Sequence, residues 1–173
     1  MAKIYTVLNG AVSLATAAAV AVTTGTALKT HIQLATSAAT PIRVKQWWVE
    51  FDGSTAATPI KTELIRHASG AATVTAYAAA DIAKVNDPNA PNSDLQLGVN
   101  LSGYTASVEG VAATISDLET HFIPPTGGLL IQYPLGQEPE IAVSTFLRQR
   151  NSCKISYIKR CSCVSVIYTV SHD

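Results

Sequence analysis

The sequence predicts an all-β protein, an antiparallel β-sandwich or jelly roll with an extended N-terminal arm. Short runs in which apolar and polar residues alternate recur along the 173-residue chain, as in strands with one buried face. Clusters of Gly, Pro, Asn and Asp separate these runs at turn-like intervals. Only one stretch, 78–85, reads as a helix. The length suits a single domain able to bury a core. The expected division is an arm over 1–26 and one sandwich domain over 27–173.

No charge falls between Ile4 and Leu28. A secretory segment carries a compact apolar block and a membrane helix about twenty strongly apolar residues. Asn9, Gly10, Ser13 and repeated Thr break this run, so it reads as an extended arm followed by a first strand. Too apolar to stay solvated and too poor in large side chains to form a core, the arm is expected to pack on a neighbouring subunit or on the surface to which the protein attaches.

Residues 30–34 alternate as a half-buried strand. In 42–51 the apolar positions Ile42 and Val44 give way to Trp47, Val49 and Phe51 on the other parity. A slip of one residue predicts a β-bulge near Lys45 and Gln46. Asp52, Gly53 and the residues up to Pro59 close that strand in a loop, and strands follow over 60–67 and 73–77. The stretch 78–85 (AAADIAKV) would give a weak helix of about two turns.

The segment 86–94 (NDPNAPNSD) is a loop. As a calcium loop begun at Asp87 it fails, with Asn92 at the glycine position and Gly98 at the bidentate Glu position. Turn and capping chemistry accounts for the same residues. Strand candidates at 95–104 and 111–115 flank a turn at Glu109 and Gly110. Phe122 and Ile123 lead into a turn over 124–128, and strands at 129–133, 141–148, 154–157 and 164–170 complete the chain.

The chain is 47 % hydrophobic and 14 % charged, against about 25 % charged in an ordinary domain. Its 12 basic and 12 acidic residues cancel, which argues against a strongly cationic nucleic-acid binder and fits an assembly component. The charges are nonetheless segregated. Residues 1–49 carry four cations and no carboxylate, 50–140 carry eleven carboxylates and three cations, and 141–173 carry five cations and Asp173. Either strands from the two ends lie beside the acidic middle within one chain, or ends and middle of neighbouring subunits meet and steer assembly.

Cys153, Cys161 and Cys163 are an odd number crowded near the C-terminus, which is no disulfide framework and fits synthesis in a reducing cytoplasm. Only His172 stands near enough in sequence to share a metal with them, so packed free thiols are expected and no metal.

No nucleophile elbow, phosphate loop, dinucleotide fingerprint or zinc-protease motif occurs. His31, His67, His121 and His172 fall on separate elements. Glu138 and Glu140 share one side of a strand, whereas glycosidase carboxylates face each other across a cleft. They are expected to pair with the basic C-terminal strands. The reading is therefore non-enzymatic, with no catalytic residue and no cofactor. Trp47 and Trp48 must face opposite surfaces of a sheet. One enters the core; the other is covered by the chain, forms a subunit contact or offers a platform to a sugar.

Residues 133–140 (YPLGQEPE) followed by 141–150 (IAVSTFLRQR) resemble the C-terminal motif of small head proteins of tailed phages, similar to the capsid decoration or cement proteins found especially in phages of actinobacteria. Residues 5–10 (YTVLNG), 24–30 (TGTALKT) and 103–107 (GYTAS) resemble the same group. After Arg150 the chain departs: its Cys- and Lys-containing tail replaces a shorter, acid-ended finish.

The resemblance implies a structural virion protein, made in the bacterial host cytoplasm. It would bind the phage major capsid protein on the outside of the head and stabilise the shell, without nucleic-acid or membrane partners. Analogy with other cement proteins implies a homotrimer. The expected interface residues are Tyr5, Val7, Leu8, Val20, Val22, Trp47, Trp48, Arg148 and Arg150. The alternatives are a carbohydrate- or receptor-binding β-sandwich of a tail fibre or surface protein, and a head-completion or tail component.

Overall fold

The computed structural model describes residues 3–11, 22–24, 27–52, 58–152 and 159–170, and for 23, 24 and 159–165 the backbone alone. Val20, Cys153, loop residues 53–57 and the strand expected over 154–157 lie outside the described residues. In chain order the strands are β1 (Lys3–Leu8), β2 (Val22–Thr24), β3 (Lys29–Ala35), β4 (Ile42–Phe51), β5 (Ile60–His67), β6 (Thr73–Ala76), β7 (Ala83–Lys84), β8 (Gly103–Val108), β9 (Ser116–Ile123), β10 (Gly128–Gln132), β11 (Glu140–Ile141), β12 (Phe146–Ser152) and β13 (Lys159–Val170).

They form two antiparallel sheets packed as a β-sandwich. The first runs β10-β4-β13-β1-β7, with β11 added to β4 and β2 to β13; the second runs β6-β8-β3-β12-β5-β9. Alternate residues of β4 (Ile42, Val44, Trp47, Val49, Phe51), β1 (Tyr5, Val7) and β13 (Val166, Tyr168, Val170) meet Ile32, Leu34, Ile60, Leu64 and Leu147 of the other sheet in one core. The phase slip in β4 is a bulge: Ile167 pairs with Gln46 and Tyr168 with Val44, leaving Lys45 as the extra residue. Both halves of a ten-residue strand thereby keep their apolar side chains inward.

Five expectations are corrected. The arm does not extend away over Lys3–Leu8. That segment is an interior strand between β13 and β7, and Val22–Thr24 pairs with β13. Tyr5 and Val7 complete the chain's own core, with Tyr5 stacked on Tyr168 at 5.7 Å between ring centroids. β-Branched residues and one aromatic suffice once every second side chain is covered from both sides.

The expected helix over 78–85 is a single 3-10 turn, Ala79–Asp81, followed by the short β7. Its Ala-rich run is too short to hold a helix without an apolar face to bury. The polar positions of β3 are not solvent-facing. His31 and Gln33 are both buried, and Gln33 is covered by the 68–76 and 98–113 segments, whose Ala72 and Leu101 carbonyls it reaches. The strands expected at 95–104 and 111–115 give way to β8 and β9. In β9, Glu119 and His121 sit opposite the core-facing Leu64 and Thr62, which removes the apolar alternation from the sequence.

The segregated charges meet within the chain. Lys3 pairs with Asp87, Arg43 with Glu140, Lys45 with Glu138, Arg148 with Glu109 and Arg150 with Glu63. Each pair joins a basic end to the acidic middle. Glu138 and Glu140 thus pair with β4, not with the C-terminal strands.

Candidate functional site

The most polar constellation of the fold lies under the cover of the second sheet. Arg148 of β12 is fully buried beside Gln33 of β3. Its Nη2 donates to Gln33 Oε1 at 3.0 Å and to the Gly70 carbonyl at 2.9 Å, and Nη1 donates to the Gly110 carbonyl at 3.4 Å. The Glu109 carboxylate stands 3.9 Å from Nη1 and accepts from Thr30 Oγ1 at 2.6 Å and from the Thr30 backbone N–H. Gln33 completes the lattice, donating to the Ala72 and Leu101 carbonyls and accepting from Ala72 N–H.

Gly70 and Gly110 cross back to back. Gly70 holds φ +82°, and a Cβ at Gly110 would stand 2.1 Å from the Ala71 carbonyl oxygen, so neither tolerates a side chain. Burial lowers the Arg148 pKa while Glu109 opposes that shift. Every donor on the Nη atoms faces a structural acceptor. The cluster pins the loops at Gly70 and Gly110 to the sheet.

The histidines do not converge. His31 is buried on β3 and held neutral, its pKa pushed down to about 3 by burial and then by the Lys29 charge. His67 stacks on Phe146 at 5.0 Å and places Nδ1 3.0 Å from the Ser69 carbonyl. Burial pushes its pKa down to about 4, although the Ser69 contact opposes the shift. His121 meets Glu119 at 2.9 Å, and the Tyr133 hydroxyl donates to the same carboxylate at 3.3 Å. Burial, and secondarily the Glu119 charge, raises the Tyr133 pKa.

In the 86–94 loop, Asp87 accepts from Asn89 N–H and Lys3 Nζ, and Asn86 accepts from Ile4 N–H. This is turn and strand-end chemistry. Among the described residues no three His, Cys, Asp or Glu side chains gather as a metal site, and no helix is long and apolar enough to cross a membrane.

Two open grooves lie elsewhere, on the outer face of the first sheet at β4 and β10. Trp47 points inward and is fully buried, tilted against His121 at 6.3 Å. Trp48 points outward and is half-buried. It lines a groove of about 410 Å³ with Gln46, Glu50, Gly128, Leu129 and Leu130. A second groove of about 230 Å³ shares Gln46 and continues past Gln132 and Ile167 to Leu135 and the Lys45–Glu138 pair. Leu130 is 62 % exposed and Leu135 90 %.

Of the expected interface residues, Tyr5, Val7, Val22, Trp47 and Arg148 are buried in the chain's own fold, which removes them from contact with another molecule. Leu8, Trp48 and Arg150 remain half-buried. Arg150 is engaged with Glu63 at 2.9 Å, and the Leu8 carbonyl accepts from the Tyr77 hydroxyl. Among the described members of the set, only Trp48 lines one of these grooves. Sequence reasoning missed Leu130 and Leu135. The signal was present as two large apolar residues on the outward parity of β10 and in the turn after it. No family model, curated protein or solved structure matches the chain.

Proposed function

We propose that this chain is a structural, non-catalytic protein that decorates the outside of a tailed-phage head, where it would bind the major capsid protein and stabilise the shell. The observation that supports this most is the division of its polar and apolar groups. Arg148, Gln33 and Glu109 are consumed in holding the fold together. Trp48, Leu130 and Leu135 are left on one outer face. Large apolar side chains kept on a surface mark a docking face.

The 133–150 stretch that carries the phage resemblance contributes to both features. Its turn exposes Leu135, its Glu138 and Glu140 brace β4, and its strand supplies Arg148. A stiff body with many modest contacts suits a cement, because repetition over a shell multiplies weak binding.

Co-sedimentation of the full chain with assembled heads, followed by imaging of the particles, tests the proposal. Copies repeated over the head surface, lost with Trp48→Ala, would support it. A chain found only in tails or connectors, or absent from particles, would overturn it. A second reading, a carbohydrate-binding sandwich, draws on the Trp48 ring flanked by Gln46 and Glu50. Retention on immobilised glycans, abolished by Trp48→Ala, would favour that reading over the capsid.

A further inference from the structure

The edge of the first sheet has a geometry that the grooves alone do not convey. β10 pairs with β4 on one side only and ends the sheet. At its two ends Gly127 O accepts from Phe51 N–H, and Tyr133 N–H donates to Lys45 O, each at 3.0 Å. In an antiparallel pair, residues that bond to the neighbour alternate with residues whose backbone points away. Gly127 and Tyr133 face β4, so Leu129 and Ile131 do too. The N–H and C=O groups of Gly128, Leu130 and Gln132 therefore point outward. Among the described residues nothing bonds to them.

Edges of this kind are usually blunted by charge, proline or brevity. Among the described residues the other free edges are: β7 and β11 have two residues each, β2 three and β6 four, and β9 carries Asp117 and Glu119. β10, with the sequence GLLIQ, has none of these devices.

We propose that β10 pairs antiparallel with β10 of a second copy about a two-fold axis at Leu130, joining two first sheets into one. The strand is complementary to itself in that register. Leu130 meets Leu130 of the partner subunit, and their outward N–H and C=O groups bond reciprocally. Gly128 stands opposite the partner's Gln132, where the small residue leaves room for the long one, and Leu129 lies beside the partner's Ile131 on the core side. No charged side chain lies on the strand, so no like charges are set face to face. On the outer face each Trp48, paired with Leu130 across β4 and β10, would extend the apolar stripe through the axis. The Leu130 side chains, 62 % exposed in one copy, would be covered.

This two-fold contact stands independently of the capsid reading and differs from the homotrimer that analogy with cement proteins implies. Lys3, Lys45 and Arg150, three of the cations that would have steered a ring, are paired within the chain.

Sedimentation velocity of the full chain over a concentration series tests the proposal, with circular dichroism and thermal unfolding as folding controls. The wild type should show a monomer–dimer equilibrium. Leu130→Lys places a charge on the axis without touching the core. Leu130→Pro removes one outward N–H while sparing the bonds to β4. Each should raise the dimer dissociation constant at least about tenfold. If the proline variant misfolds, the lysine variant decides. A monomer at every concentration, a trimer, or a dimer that both folded variants leave unchanged would overturn the proposal.

Discussion

Arg148 and His31 are both fully buried and behave oppositely. Arg148 stays ionised because Gln33, Glu109 and the Gly70 and Gly110 carbonyls face its guanidinium. Arg148→Met should cost about 3–5 kcal/mol, since it strands a carboxylate and several buried acceptors; denaturant midpoints at constant slope would measure it. His31 has no partner on either ring nitrogen and is held neutral. The unfolded chain takes up that proton near pH 6.5, the folded chain only near pH 3. His31 neutrality therefore supports the fold above pH 6.5, and that support is lost as pH falls towards 3. His67 acts the same way down to about 4. His31→Leu should flatten the stability–pH curve below pH 6.5 by the slope of one proton, about 1.4 kcal/mol per pH unit. Unfolding curves of both proteins from neutral to acid pH would check this. None of this was legible in the sequence. Gln33 and Arg148 stand at positions that alternate with Ile32, Leu34 and Leu147, which reads as a solvent face until a distant segment covers it.

Among the elements, β4 was the most legible, because its bulge leaves a mark in the sequence. The apolar parity changes at Lys45 and Gln46, and the pairing with β13 breaks there. Deleting Lys45 would remove the bulge and bring Ile42, Val44, Trp47, Val49 and Phe51 onto one parity, leaving the core alternation intact. It would also cost Tyr133 N–H its acceptor position. With the Lys45–Glu138 pair lost as well, the cost should be about 1–3 kcal/mol, seen as a lowered unfolding midpoint with the near-ultraviolet tryptophan signals retained. β1 was misread because few large side chains imply an arm only when nothing flanks the segment. Here β13 and β7 flank it, and Tyr5 reaches the Pro91 carbonyl at 3.0 Å. Removal of residues 1–8 should therefore collapse the cooperative unfolding transition. A truncated chain with wild-type stability would restore the arm reading.

At the scale of the whole molecule, the charge map decides how the protein should respond to salt. Basic ends and an acidic middle permitted two arrangements, one within a chain and one between chains. The ion pairs of Lys3, Arg43, Lys45, Arg148 and Arg150 realise the first. Arg43–Glu140 is half-exposed on both sides, so screening should remove little stability from it. The surface left for self-association is instead an uncharged strand edge beside Trp48 and Leu130. Raising salt from about 0.1 M to 1 M shortens the screening length from about 10 Å to 3 Å. That change should leave a β10-mediated dimer intact, since backbone hydrogen bonds and apolar burial carry it. Sedimentation at both salt concentrations distinguishes the arrangements. An association constant that is steady or rising with salt fits the edge contact. A constant that falls steeply would mean that ends and middle also pair between copies, and that the charges within one chain do not exhaust the map.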